Sequence, residues 1–165
     1  MHIKEALKRV EDSKEYKDFI KKNPKFYLVH CFRLDEGKSP FGWQLGYYSE
    51  KEDKMVVFDV PASGEIKRGE KEDVFKQTKS IEGIELDHLE VFLDKALEIV
   101  AEHKKERASS EPIAKRLILL QRVDGKQMWN ITLVTHSFKL LNVKIDTTSG
   151  EVLSESYESI MSIAK

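Results

Sequence analysis

The sequence contains a single cysteine, Cys31, among 165 residues. One cysteine excludes an intrachain disulfide and a cysteine-based zinc site. The chain also has no apolar run near the roughly 18 residues of a membrane-spanning helix. Its first residues, MHIKEALKRVED, do not contain the apolar stretch of a signal peptide. We therefore expect a cytoplasmic protein with no metal, no cofactor and no membrane partner.

An excess of charge of one sign is lacking as well. The 28 Lys and Arg residues nearly balance the 29 Asp and Glu residues, which gives a net charge of −1. A balanced surface does not attract nucleic acid in bulk, so no nucleic-acid partner is expected. Apolar residues make up 40% of the chain, and its length suffices for a real hydrophobic core. The composition predicts a globular protein that forms one compact body.

Catalytic motifs are absent from the sequence. None of the five histidines belongs to an HExxH or HxH pattern, and there is no P-loop, GxGxxG or GxSxG. His30 and Cys31 lie in a predicted strand, where packing is the favoured interpretation for both and a ligand or catalytic role is the alternative. The sequence predicts that the protein is not an enzyme.

Hydrophobic periodicity predicts two similar series of elements. The first series comprises helices and then strands over 2–11, 13–22, 25–34, 42–50 and 55–60. The second comprises a helix and then strands over 88–106, 115–123, 127–136 and 138–146. Asp87 and Glu90 have the spacing of a capping box for the helix of the second series. A short helix around 71–79 and a weak C-terminal helix over 154–165 complete the prediction.

Two segments carry the same pattern at the same spacing. Each starts with a tryptophan and ends in Ser-Gly-Glu, and each tryptophan precedes its glycine by 21 positions: 43-WQLGYYSEKEDKMVVFDVPASGEI-66 and 129-WNITLVTHSFKLLNVKIDTTSGEV-152. Self-similarity of this kind indicates a duplication. We predict an α+β fold of duplicated αβββ units, 1–66 and 87–165, joined by a charged connection, 67–86. Antiparallel sheets would pack against the helices, paired edge to edge into six strands or, alternatively, packed as two cystatin-like halves.

The second segment resembles a PepSY module. An amphipathic helix precedes strand, turn and strand, and the pattern Asp-x-x-x-Gly-Glu-aliphatic is met by Asp146, Gly150, Glu151 and Val152. The first segment is a degenerate match, because Asp59 lies one place early and Pro61 interrupts. The resemblance implies a tandem PepSY-like protein. Modules of this family occur in metallopeptidase propeptides and in tandem in spore-cortex and membrane sensor proteins, which implies protein binding or restraint of a peptidase.

Four aromatic residues of the first segment are candidates for partner binding: Phe41, Trp43, Tyr47 and Tyr48. Pro, Phe, Gly and Trp are unusual in a connection, and aromatic side chains on loops favour contact with a partner. The adjacent tyrosines must face opposite sides of a strand. We expect one side to be covered by a helix and the other by a partner or a second copy. Alternatively, Trp43 and Trp129 are core residues that pack on the preceding helix.

The leading hypothesis is a non-enzymatic protein that binds a protein or an extended peptide through its sheet or strand edges, and that could form a homodimer. A second hypothesis is a small-molecule binder with an aromatic pocket between sheet and helix, lined by Phe26, Phe32, Tyr47 and Phe92. A third is a nucleic-acid saddle resembling the TATA-binding protein, against which the balanced charge argues.

Overall fold

The computed structural model describes residues 1–38, 42–74 and 80–163. Four helices are present in this part of the chain: α1 Ile3–Asp12, α2 Lys14–Lys22, α3 Leu93–Ala108 and α4 Ile160–Ile163. The nine strands are β1 Tyr27–Asp35, β2 Trp43–Ser49, β3 Lys54–Val60, β4 Lys67–Arg68, β5 Glu72–Asp73, β6 Ile113–Val123, β7 Lys126–Thr135, β8 Lys139–Asp146 and β9 Val152–Ser159.

The strands form one continuous sheet in the order β4-β3-β2-β1-β6-β7-β8-β9, and β5 also pairs with β3. Every pairing is antiparallel. Pairing of β1 with β6, from His30 opposite Gln121 to Asp35 opposite Arg116, joins the two halves edge to edge. The predicted α+β class with an antiparallel sheet is confirmed, and the alternative of two halves packed face to face is wrong. The duplication itself stays a prediction.

The break between the first two helices lies where the sequence predicts it. Ser13 is the N-cap of α2, and its Oγ accepts a hydrogen bond from the N–H of Tyr16 at 3.2 Å. The same hydroxyl donates to the carbonyl of Val10 at 2.6 Å. One serine therefore closes the end of α1 and opens α2, which lets the two helices turn different faces to the sheet.

The predicted start of the long helix at 88 is wrong. Residues 86–88 form a single 3-10 turn, and α3 begins only at Leu93. The N–H groups of Glu90 and Val91 donate to the carbonyl of Thr147, at 3.0 and 2.7 Å. Because these donors are satisfied by Thr147, which directly follows β8, the segment follows the sheet rather than continuing as helix.

The C-terminal helix predicted over 154–165 is correct only for Ile160–Ile163, which form α4, and residues 154–159 instead belong to the strand β9. This strand pairs with β8 from Ile145 opposite Val152 to Lys139 opposite Ser159. Of the short helix predicted around 71–79, residues 72–73 instead form β5, and 75–79 lie outside the described residues. Tertiary pairing with β8 and β3 therefore decides the conformation of both segments.

The turn between β8 and β9 is closed by the side chain of Asp146 and by the backbone of Gly150. Asp146 Oδ1 accepts from the N–H groups of Thr148 and Ser149, at 2.7 and 3.0 Å. Donation by Ser149 and Thr148 holds the pKa of the Asp146 carboxyl below its usual range. Gly150 has a φ of +78°, in the left-handed region that glycine tolerates. Asp146 and Gly150 therefore have structural roles.

Helices α1, α2 and α3 contribute to one hydrophobic core on a single face of the sheet. The core takes alternate residues from each long strand, among them Cys31, Leu45, Phe58, Ile118, Trp129, Ile131 and Val143. Successive side chains of a strand point to opposite faces, so the residues between these point away from the helices. The sheet therefore has a helix-covered face and a second face, which we call the open face.

Candidate functional site

The predicted partner-binding residues that the structure describes are buried. Trp43, Tyr47 and Tyr48 are 2%, 3% and 2% exposed, and Phe41 lies outside the described residues. Trp43 Nε1 donates to the carbonyl of Met1 at 3.0 Å. The exposed aromatic surface expected here is wrong for Trp43 and both tyrosines, because each fills space inside the fold. The alternative interpretation of Trp43 as a core residue is confirmed.

The adjacent tyrosines do face opposite sides of β2. Tyr47 lies under the helices, with ring centroids 5.4 Å from both Tyr16 and Phe58. Burial raises the pKa of its hydroxyl well above the usual range. Tyr48 lies on the open face beside Tyr27, at 6.0 Å, and donates to Asp53 Oδ1 at 2.8 Å. The chain's own residues cover both rings, and neither needs a partner for burial.

The four aromatic residues proposed to line a pocket between sheet and helix do not converge. Phe26 packs against Phe19, with 5.0 Å between the ring centroids, and Tyr47 belongs to the same buried core. Phe32 follows Cys31 and lies on the open face, whereas Phe92 is at the N-terminus of α3. The helix–sheet interface around Phe26 and Tyr47 is closely packed, which counts against the small-molecule hypothesis.

At the junction of the two halves, four apolar side chains lie on the open face. Phe32 is opposite Leu119, and Leu34 is opposite Leu117. None of the four belongs to the helix-covered core, and Leu34 is 39% exposed. We call these four residues the central patch. Sequence alternation could have placed them on one face, but only the pairing of β1 with β6 brings them together.

Polar side chains flank the central patch on both sides. Next to Leu119 and Leu117, the amide of Asn142 donates to Asn130 Oδ1 at 2.6 Å and to Thr132 Oγ1 at 2.9 Å. On the side of β2, the amide of Gln44 donates to Asp59 Oδ1 at 2.8 Å. Amide and hydroxyl groups of this kind can exchange hydrogen bonds with a polypeptide backbone.

A cavity of about 480 Å³ adjoins the central patch. Phe32 and Leu34 form part of its wall, and the remaining lining residues are Arg33, Gly42, Trp43, Gln44, Asp59, Val60, Pro61 and Lys67. The guanidinium of Arg33 lies 5.5 Å from the centre of the Trp43 ring. A mainly apolar recess with a few polar groups suits an inserted apolar side chain.

His30 and Cys31 have the packing roles that the sequence favours. A Cβ atom added to Gly46 would lie 2.0 Å from His30 Cε1, so the imidazole occupies the space above this glycine. Burial lowers the pKa of His30 and raises that of the Cys31 thiol. Cys31 is fully buried in the core, and a neutral buried thiol is a poor nucleophile.

Within residues 1–38, 42–74 and 80–163, no group of three or more His, Cys, Asp or Glu side chains is arranged to hold a metal ion. In the same residues, no helix has the length and apolar character needed to span a membrane.

A second exposed feature lies at the end of the sheet. Phe138, in the turn between β7 and β8, is 65% exposed, and Met161, just after β9, is 74% exposed. The carbonyl of Phe138 accepts a hydrogen bond from the N–H of Ile160 at 2.9 Å, which holds these residues together. We call Phe138, Ile160 and Met161 the corner cluster. The sequence did not indicate this cluster, because Phe138 and Ile160 are far apart along the chain and are brought together only by the pairing of β8 with β9.

The fold defined by these features is an α+β protein with helices on one face of a nine-stranded antiparallel sheet. No protein-family model matches the chain, and no curated protein matches it. A crystal structure described as a "putative lipoprotein" from Clostridium difficile 630 is similar, with a TM-score of 0.55 and 16% sequence identity. The match covers 87% of this chain and 90% of that chain. This likeness shows the fold alone.

Proposed function

We propose that this chain is a non-enzymatic binding protein that takes a protein or an extended peptide on the open face of its sheet. The observation that carries the proposal is the central patch, an apolar group at the junction of the two halves that lies outside the helix-covered core. An apolar centre surrounded by polar groups is the usual anatomy of a protein interface. Here Asn130, Thr132 and Gln44 supply the polar surroundings.

The adjoining cavity gives such a partner a place for an anchoring side chain. Interfaces derive much of their binding energy from a few apolar residues that enter pockets. Phe32 and Leu34 belong to both the central patch and the cavity wall. A partner that lies across β1 and β6 would therefore cover the patch and fill the cavity with one apolar residue.

Restraint of a peptidase is one form that this binding could take, and it rests on the PepSY resemblance of the second half. The cytoplasmic location is likewise a proposal from the sequence. Both are separate from the interface itself, which depends only on the open face.

Two matched substitutions test the interface. Leu34 and Phe92 are 39% and 37% exposed, so replacing either with aspartate removes a similar amount of exposed apolar surface. Leu34→Asp places a charge in the central patch and should abolish partner binding. Phe92→Asp lies at the N-cap of α3, where aspartate is favoured, and should bind as the unmodified protein does.

The measurement is quantitative mass spectrometry of proteins that co-purify with each variant from the native source, followed by calorimetric titration of the partner found. Circular dichroism confirms that both variants are folded. The proposal fails if Leu34→Asp retains the partner, or if both variants lose it equally.

A further inference from the structure

The two ends of the sheet differ in how they are protected. The outer edge of β3 is covered by the short strands β4 and β5. At the other end, β9 is the last of the described strands in the sheet order. Its eight residues, VLSESYES, include no proline or lysine, which are the residues that most often block pairing at an edge, and its charged residues are Glu155 and Glu158. Among the described residues, β8 is the only strand that pairs with β9, so the outer edge of β9 can accept another extended strand.

One side chain of β9 could still oppose pairing, because a charge that points inward protects many edges. Glu155 points to the helix-covered face, opposite Val143 of β8. Its carboxylate contacts His103 Nδ1 and lies 2.8 Å from Arg107 Nε, both on α3. Since Arg107 of α3 supplies a cation to this carboxylate, Glu155 does not leave the edge with an uncompensated charge.

A second copy of the chain can continue the sheet through a two-fold axis perpendicular to it. In such a pairing, residues that lie opposite each other share a face, so one residue of β9 must lie opposite its own copy. The axis passes between these two copies, and it is named here by that residue. An axis through Glu155 would place two carboxylates opposite each other. An axis through Ser156 places Glu155 opposite Tyr157 of the second copy, and it also pairs residues 153–159 of the two copies.

The axis through Ser156 also brings opposite charges together. It places Glu158 opposite Ser154 of the second copy, and Ser154 is paired with Lys144 of β8. Strands are spaced about 4.8 Å apart, so Lys144 and Glu158 lie about 10 Å apart at their Cα atoms, on one face, with only a serine between them. Two long side chains can meet across that distance. The two-fold symmetry places this ion pair at both ends of the interface.

The corner cluster extends the contact at each end. With the same axis, Ser159 lies opposite Leu153 of the second copy, so the exposed Ile160 and Met161, which begin α4, lie near the start of β9 of that copy. An apolar group on one copy thus meets the half-buried start of β9 on the other. Backbone pairing, the two ion pairs and the apolar ends are consistent with a single register.

We propose that two copies of this chain form a dimer by antiparallel pairing of their β9 strands about an axis through Ser156. The dimer joins the sheets edge to edge and leaves the central patch uncovered, so this inference is independent of the proposed function. It names a second interaction surface, whose partner is the chain itself.

A cysteine at the axis tests the register directly. Ser156→Cys places two thiols on directly opposed residues, whose Cα atoms are about 5 Å apart, within the range for a disulfide. Ser154→Cys is the matched control, because two such residues would be about 13 Å apart along the strands. Under mild oxidation, Ser156→Cys should form a linked dimer and Ser154→Cys should remain monomeric on non-reducing gels. Cys31 is buried and does not compete.

Charge reversal tests the ion pair. In sedimentation velocity over a concentration series, the unmodified chain should be a dimer. Lys144→Glu or Glu158→Lys should raise its dissociation constant by about tenfold, and the double variant should restore it. Glu65→Lys, an equal change of charge at an exposed residue between β3 and β4, at the other end of the sheet, should leave it unchanged.

A monomer at every concentration would overturn the proposal, as would equal cross-linking of both cysteine variants. A dimer whose affinity is not restored by the double variant would overturn the register. Partner binding at the central patch is measured separately with Leu34→Asp, so either proposal can fail without the other.

Discussion

At the scale of the residue, the clearest constraint is the contact between His30 and Gly46. The imidazole lies where a side chain at position 46 would be, on the open face between β1 and β2. Burial lowers the pKa of His30, which favours the neutral ring in this position. Glycine in the middle of a strand is costly, and here the histidine accounts for it.

Replacing Gly46 with alanine tests this contact. Gly46→Ala should lower the free energy of unfolding by about 1–3 kcal/mol, because the imidazole must leave its place. In the background of His30→Ala, the same change should be neutral or stabilising, since alanine loses less backbone entropy than glycine in a strand. Urea unfolding of the four proteins measures the difference. An equal loss in both backgrounds would contradict the explanation.

At the scale of the element, the turn between β7 and β8 contains a residue in an unfavourable conformation. Phe138 has a φ of +62°, in the left-handed region, where a bulky side chain is uncommon. Three-residue hairpin loops usually place glycine at this position. The phenylalanine is exposed and belongs to the corner cluster, so its strain is not offset by burial in the core.

Phe138→Gly should therefore stabilise the monomer by about 1 kcal/mol through relief of backbone strain. Phe138→Ala removes the same ring but keeps a Cβ atom at positive φ, and it should not stabilise. Thermal unfolding at low protein concentration compares the two variants with the unmodified chain. If alanine stabilises as much as glycine, the exposed ring and not the backbone is the source of the strain.

At the scale of the whole molecule, the two halves share a sheet and a core. β1 pairs with β6 over six residue pairs, and the rings of Trp43 and Trp129 lie 6.4 Å apart between centroids. Trp129 Nε1 donates to the carbonyl of Val91 at 2.8 Å, as Trp43 does to Met1. Each indole thus binds a backbone carbonyl two residues before the first residue of a helix: Trp129 before α3 and Trp43 before α1.

The shared core predicts a single unfolding transition. Trp43→Phe leaves Trp129 as the only indole, and Trp129→Phe leaves Trp43. In each variant, the remaining tryptophan's fluorescence and far-ultraviolet circular dichroism should give the same midpoint in urea, because neither half unfolds alone. A fluorescence midpoint that departs from the circular dichroism midpoint in either variant would show that the predicted units, 1–66 and 87–165, unfold separately.

Local chemistry explains which parts of the fold could be predicted. Ser13 marks a helix boundary through its own hydroxyl, and Asp146 with Gly150 specifies a turn within five residues. The strand pattern around Cys31 follows from alternation. By contrast, nothing near Leu93 in the sequence shows that the carbonyl of Thr147 accepts hydrogen bonds from the N–H groups of Glu90 and Val91. The apolar alternation of β9 is weak, because Glu155 and Ser159 take positions on the helix-covered face, and its partner β8 decides its conformation.

The sequence by itself determined the α+β class, the boundaries of the first elements and the turn chemistry, because caps, turns and periodicity act over a few residues. Only the tertiary structure decided that Trp43, Tyr47 and Tyr48 are buried and that Phe32, Leu34, Leu117 and Leu119 form one patch. It also decided that β9 ends the sheet. These features depend on pairing between distant strands, and the free energy of such pairing comes from surfaces that no short stretch of sequence contains.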